Sequence, residues 1–287
     1  MTPDRRTKRR SRRGRRLRGL SVHGLIPNAI TVSATCAALT GVRFALEQRW
    51  EFAVGAILLA AILDALDGRM ARLLNATSDF GAQLDSLSDF VAFGVSPAMI
   101  MYFWALNGLG GFGWVIALFF AVCAGLRLAR FNSRIDSLPS YAYNYFQGVP
   151  APAGAGLGML PIIFFLAFPE LGQLPAPVIA AWMVGGGLLM VSELPTYSFK
   201  RIKVPRRFLL PSMALVGLAV AGLAGQPWVT LFVVLAVYMA TFPISFRSYQ
   251  RLREAAERLQ DETDDDSGND ESGQSNGNGA VPLRPVN

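Results

Sequence analysis

Strongly apolar runs separated by short polar turns make up most of the chain. At about 20 apolar residues per membrane crossing, the runs place eight transmembrane helices. They fall at 26–46, 50–69, 84–105, 112–132, 152–169, 176–195, 208–224 and 228–246. The least regular stretch is Gly158 to Phe168, because Pro150, Pro152 and Pro161 interrupt the region. Membrane helices tolerate proline, which there marks a kink. After the last run, RSYQRLREAAERL reads as a short charged helix. The tail beyond it, DETDDDSGNDESGQSNGNG, is acidic, poor in apolar residues and expected to be disordered. No period of 20 to 50 residues recurs, so the chain is not a solenoid. The expected fold is an all-α polytopic membrane protein.

Composition agrees, with 52% hydrophobic and 16% charged residues. The two cysteines, Cys36 and Cys123, both fall in apolar runs and are expected to be packed in the core without a disulfide. His23 is the only histidine, which argues against a catalytic histidine or a histidine-ligated zinc.

Charge fixes the expected orientation. Residues 1–24 hold ten of the 27 Lys and Arg residues against one acid, Asp4. This head reads as a disordered cytosolic tail attracted to anionic lipid; no nucleic-acid partner is expected. No small-residue cleavage site follows it at a suitable distance. With the N-terminus in the cytosol, the inner segments are 70–83, 133–151, 196–207 and the C-terminal tail. Among them, 200–207 alone carries Lys200, Arg201, Lys203, Arg206 and Arg207, and only Arg43 and Arg49 of the 27 land outside. This positive-inside pattern places both termini in the cytosol. The expected division is a basic tail (1–24), a core (25–207), two further helices (208–246) and a charged helix with an acidic tail (247–287).

Against this background the stretch from Asp64 to Asp89, DALDGRMARLLNATSDFGAQLDSLSD, stands out. On a helix Asp64 and Asp67 are i, i+3 and Asp85 and Asp89 are i, i+4, so each pair shares a face. Carboxylates at the mouth of a membrane span are costly unless something compensates them. Two unit charges about 4 Å apart repel by roughly 4 kcal/mol at an effective dielectric near 20. Such a group raises its members' proton affinities or recruits cations. Oxygen ligands at this spacing suit Mg²⁺ or Mn²⁺. A metal so held neutralises a diphosphate and the charge on a departing group. Gly68 and Gly81 lack side chains and allow close approach to the backbone. Ala71 is small, and Arg72 can reach phosphate or pair with an aspartate.

The spacing Asp64-x2-Asp67-Gly68-x2-Ala71-Arg72-x8-Gly81-x3-Asp85-x3-Asp89 resembles the full signature of the CDP-alcohol phosphotransferases. That family joins a CDP-linked lipid or alcohol to an acceptor hydroxyl and releases CMP. The resemblance implies a six-helix membrane core, a homodimer, and one or two Mg²⁺ or Mn²⁺ ions. It implies metal binding by Asp64, Asp67 and Asp85, with Asp89 either a further metal ligand or the base that takes the acceptor's proton. Gly68, Ala71, Arg72 and Gly81 would line the cytidine-diphosphate pocket.

Four further segments narrow the acceptor: DSLSDFVAFGVSPA from Asp85, RLARFN at 127–132, FQGVPAPAGAG at 146–156 and MVSELPTYSFK at 190–200. Together they resemble the bacterial, membrane-embedded phosphatidylserine synthases, which implies CDP-diacylglycerol and L-serine as substrates in the inner membrane. A serine pocket needs a cation for the carboxylate and acceptors for the ammonium. Arg127 and Arg130, an i, i+3 pair, and the neighbouring Asn132 are candidates, with Gln147, Ser88 and Ser96 behind them. One Arg would grip the carboxylate through two parallel hydrogen bonds; the alternative is membrane anchoring. Two rivals stand beside this reading. One is a sister enzyme acting on glycerol 3-phosphate, inositol phosphate or choline. The other is an ion-coupled transporter, against which the acids crowd one membrane face and no inverted repeat is present.

Overall fold

The computed structural model describes residues 22–74, 78–134, 145–147, 149–192, 195–197 and 209–241 of the 287. The basic head, the Lys200–Arg207 cluster and the acidic tail lie outside the described residues. So do the side chains of Arg134 and Gln147. The chain divides into two compact units, Met1–Ile100 and Met101–Asn287.

The first unit is built on α1 (Val22–Leu46) and α2 (Trp50–Leu73). They meet along small residues: Ala34, Ala38 and Ala45 of α1 and Ala53 and Ala60 of α2 are buried. A Cβ at Gly41 would lie 3.0 Å from the Ala53 carbonyl oxygen and 3.2 Å from the Ala56 Cβ, so this position requires glycine for backbone approach. Without water between them, membrane helices associate through such close contacts. Cys36 is exposed on α1, away from that seam, which corrects its expected burial; Cys123 of the second unit is buried, and both are free. The turn after α1 holds Arg43 and Arg49 in pairs with Glu47, at 2.9 Å and 3.8 Å. The Arg49 guanidinium also sits 4.2 Å from the centre of the Phe52 ring.

α3 (Asp79–Asp89) runs into a π-helical turn at Phe90–Val95 and on into α4 (Ser96–Trp104). The Ser96 N–H bonds the Val91 carbonyl, five residues back. The wider turn rotates everything beyond it by about 100° relative to an uninterrupted α-helix. Phe93 within the turn and Ile100 beyond it are both buried.

In the second unit α5 (Gly111–Arg134) packs on α8 (Ala176–Val191) through Phe120, Cys123, Ile179 and Met183, all buried. The expected helix at 152–169 is two pieces, α6 (Ala151–Gly158) and α7 (Leu160–Ala167), interrupted at Met159 just before Pro161. Phe164 of α7 and Phe168 just after it pack against Phe232 of α10 (Pro227–Ala240), which follows α9 (Leu209–Gly225). An antiparallel ribbon pairs β1 (Tyr145–Gln147) with β2 (Pro195–Tyr197), tying together two segments expected to be loops on one membrane side.

The protein is thus helical and membrane-embedded. Among the described residues, Leu25–Leu46, Asp79–Trp104 and Gly111–Ser133 are long and apolar enough to cross a bilayer. Ala176–Val191, Leu210–Gly225 and Pro227–Ala240 are shorter apolar helices.

Candidate functional site: a carboxylate cluster on the first unit

α2 continues past its apolar part and ends at Leu73, directly after Arg72; the Leu74 N–H closes it on the Met70 carbonyl at 2.9 Å. α3 opens on the N-cap Ser78, whose Oγ accepts the Gly81 N–H at 3.0 Å. Asp79, a further acid in this stretch, sits exposed in the first turn, where the helix dipole favours negative charge. The two helices therefore reach further than hydropathy suggests, α2 beyond residue 69 and α3 before residue 84.

Carboxylate oxygens of Asp64, Asp67 and Asp85 all lie within 4.8 Å of one another. Asp64 and Asp89 are close enough to share a hydrogen bond. The structure thus brings together the four acids at signature spacing. Asp67 is only 4% exposed. Its Oδ2 accepts a hydrogen bond from Thr31 Oγ1 at 2.6 Å. The Thr31 carbonyl accepts one from Ser88 Oγ at 3.1 Å, and Ser88 Oγ lies 2.7 Å from Thr35 Oγ1.

These hydroxyls on α1 escaped the sequence reading. Their signal was a polar stripe, Asn28, Thr31 and Thr35, at i, i+3 and i+7 in an apolar helix. Of the weaker acceptor candidates, Ser88 and Ser96 are both buried, and Ser88 Oγ donates to the Thr31 carbonyl of α1. The two glycines also differ. Around Gly68 nothing lies within 4 Å of an added Cβ, so that side of α2 is open. At Gly81 the space is taken from within the chain, by Asn28 Oδ1 at 3.0 Å and Ser78 Oγ at 3.1 Å. Ala71 is half-buried and Arg72 exposed.

The donor set fits a hard divalent cation. It offers three aspartate oxygens within bridging reach and no sulfur or imidazole. Among the described residues, no Lys or Arg forms a salt bridge with Asp64, Asp67 or Asp85.

Arg127, Arg130 and Asn132 belong to the second unit, on the last turns of α5. Arg130 Nη1 donates to the carbonyl of Val191, the last residue of α8, at 2.6 Å. It thereby satisfies one of the carbonyls that a helix end leaves unpaired. The Arg127 guanidinium lies 5.7 Å from the centre of the Phe131 ring, and Asn132 is exposed.

Residues 24–193 match the CDP-alcohol phosphatidyltransferase family. The chain is 38% identical over 248 residues to the CDP-diacylglycerol–serine O-phosphatidyltransferase of Mycobacterium tuberculosis, covering 85% of each. It is 35% identical over 179 residues to the protein of that name from Helicobacter pylori, 62% of this chain and 74% of the relative. With the Bacillus subtilis protein of that name it shares 35% over 176 residues, 61% of this chain and 92% of the relative.

Proposed function

The chain belongs to the CDP-alcohol phosphatidyltransferase family, and on that premise we propose that it transfers the phosphatidyl group of CDP-diacylglycerol to the hydroxyl of L-serine. The products are phosphatidylserine and CMP. The observation that carries this reading is the convergence of Asp64, Asp67 and Asp85, with Asp89 beside Asp64. Three long relatives named for the serine reaction support the choice of acceptor.

In the proposed reaction the serine oxygen bonds to the phosphorus bearing the diacylglycerol. The phosphoanhydride bond to CMP breaks, and the hydroxyl proton passes to a base. Asp89 takes that proton: it lies one turn beyond Asp85 on the same helix, next to the other acids. Asp64, Asp67 and Asp85 hold one or two Mg²⁺ or Mn²⁺ ions. Bound there, the cation supplies charge neutralisation for the pyrophosphate and for the departing CMP. The open flank of Gly68 admits the diphosphate close to the α2 backbone, and the exposed Arg72 reaches its oxygens. The half-buried Ala71 completes the CDP side, while Gly81 makes room for Asn28 of α1 and not for the ligand. The acyl chains leave sideways into lipid, which suits a site at the membrane surface.

Serine is assigned to Arg127, Arg130 and Asn132. Arg130 spends one donor on Val191, and a guanidinium has five. Arg130→Ala is therefore expected to raise the KM for serine by about 10- to 100-fold, the worth of one charge-assisted contact, and the KM for the lipid much less. Steady-state kinetics with each substrate varied checks this; an unchanged serine KM moves the carboxylate role to another residue.

The positive-inside pattern supports a site on the cytosolic face of the bacterial inner membrane with both termini inside, and the proposed assembly is a homodimer. The decisive experiment supplies CDP-diacylglycerol and Mg²⁺ or Mn²⁺ with labelled serine, glycerol 3-phosphate, inositol phosphate or choline. CMP release and labelled lipid are expected with serine. Turnover with another acceptor in its place would make the chain a sister enzyme.

A further inference from the structure

Several hydroxyls of α1 bond back to the carbonyl four residues earlier: Ser33 to Ala29 at 2.8 Å, Thr35 to Thr31 at 3.2 Å and Thr40 to Cys36 at 2.7 Å. This is the ordinary use of Ser and Thr inside a helix. Among the described residues of α1, Thr31 alone also reaches a carboxylate. Its Oγ1 is 3.0 Å from the Pro27 carbonyl oxygen and 2.6 Å from Asp67 Oδ2. A hydroxyl has one proton, and the shorter contact to the charged acceptor is the stronger bond. The same residue reaches the other arm of the cluster through its backbone. Its carbonyl accepts from Ser88 Oγ at 3.1 Å, and Ser88 directly precedes Asp89. Thr31, Asp67 and Ser88 are 5%, 4% and 6% exposed, so these bonds are shielded from water.

We propose that Thr31 is a positioning residue of the carboxylate centre. Its hydroxyl holds Asp67 in place beside Asp64 and Asp85, and its carbonyl ties α3 to the same point. It touches neither substrate nor cation and acts through Asp67. The inference rests on the metal-binding reading of the cluster given above. Partners of this kind behind a metal ligand typically change metal affinity by about 10- to 100-fold when removed.

The test is direct Mn²⁺ binding to the purified full-length protein in detergent, without substrates, followed by electron paramagnetic resonance. Thr31→Val keeps the shape of the side chain and loses the hydroxyl. It is expected to weaken Mn²⁺ binding at least about 10-fold. Thr31→Ser restores the donor and is expected to return binding to near wild type, which a role in packing alone would not do. In turnover, Thr31→Val raises the Mn²⁺ concentration for half-maximal rate more than it lowers kcat at saturating metal. Should Thr31→Val not fold, Thr31→Ala takes its place with the same expectation. Wild-type affinity in a folded Thr31→Val or Thr31→Ala protein overturns the proposal while leaving the metal site standing. If wild type shows no saturable binding and Asp67→Asn changes nothing, the metal-binding reading falls and takes this inference with it.

Discussion

Asp89→Asn is expected to lower the rate of phosphatidyl transfer by about 10²- to 10⁴-fold, the usual worth of a positioned general base. Binding of CDP-diacylglycerol is expected to change only a few-fold. The substitution keeps the size of the side chain and its capacity to hydrogen-bond Asp64, but an amide cannot take a proton from serine. The three acids grouped for the cation, Asp64, Asp67 and Asp85, are left intact. The measurement pairs CMP release with a binding isotherm for radiolabelled CDP-diacylglycerol on the purified protein. Comparable turnover in the variant removes Asp89 from the proton transfer. Loss of lipid binding together with turnover makes it instead a member of the metal or diphosphate site.

Chelation of divalent cations is expected to bring CMP release to background, with recovery on adding Mg²⁺ or Mn²⁺. Asp85→Asn is expected to mimic chelation at ordinary metal concentrations. Asp85 is the clean choice, because Asp67 is buried and bonded to Thr31, so a change there also disturbs packing. The sign of the stability effect separates this reading from a purely structural one. Without metal, like charges a few Å apart repel by roughly 4 kcal/mol per pair at an effective dielectric near 20. Removing one charge should therefore raise the melting temperature of the metal-free protein. Metal that binds only the folded state stabilises wild type in proportion to its occupancy, and Asp85→Asn should lose most of that rise. Thermal melts of both proteins, with chelator and with millimolar Mn²⁺, read both effects. Full activity in excess chelator would sink the metal assignment.

How much of this was legible beforehand follows from what each sequence signal measures. Hydropathy locates where lipid solvates a helix, not where the helix ends. It stopped the second helix at residue 69 and began the third at 84. Backbone hydrogen bonding carries α2 to Leu73, and the Ser78 cap starts α3 at Asp79. The grouping of the aspartates could be read because helical periodicity converts spacing into a shared face without reference to any other element. The role of Ser88 could not: it lies between two signature aspartates and looks available to a substrate. Only the packing of α1 shows that its hydroxyl is bound to Thr31 and Thr35. Gly81 is similar, since its missing side chain reads as room for a ligand until Asn28 is found filling the space. Cys36 was misread because an apolar run does not say which of its faces meets protein and which meets lipid. The π-helical turn after Asp89 has no hydropathy signal, because one extra residue in a turn leaves the apolar content unchanged.

The sequence by itself determined the class of the protein, its family and the four aspartates at signature spacing. Those depend on composition and on residue spacing within single helices. Tertiary structure alone decided which acids stand close enough to share a cation, and it added α1 as the third wall of the site. Contact between separate helices depends on small-residue seams such as Ala34, Ala38 and Gly41 against Ala53. Those seams set the depth and rotation at which Thr31 meets Asp67, quantities that no local pattern encodes.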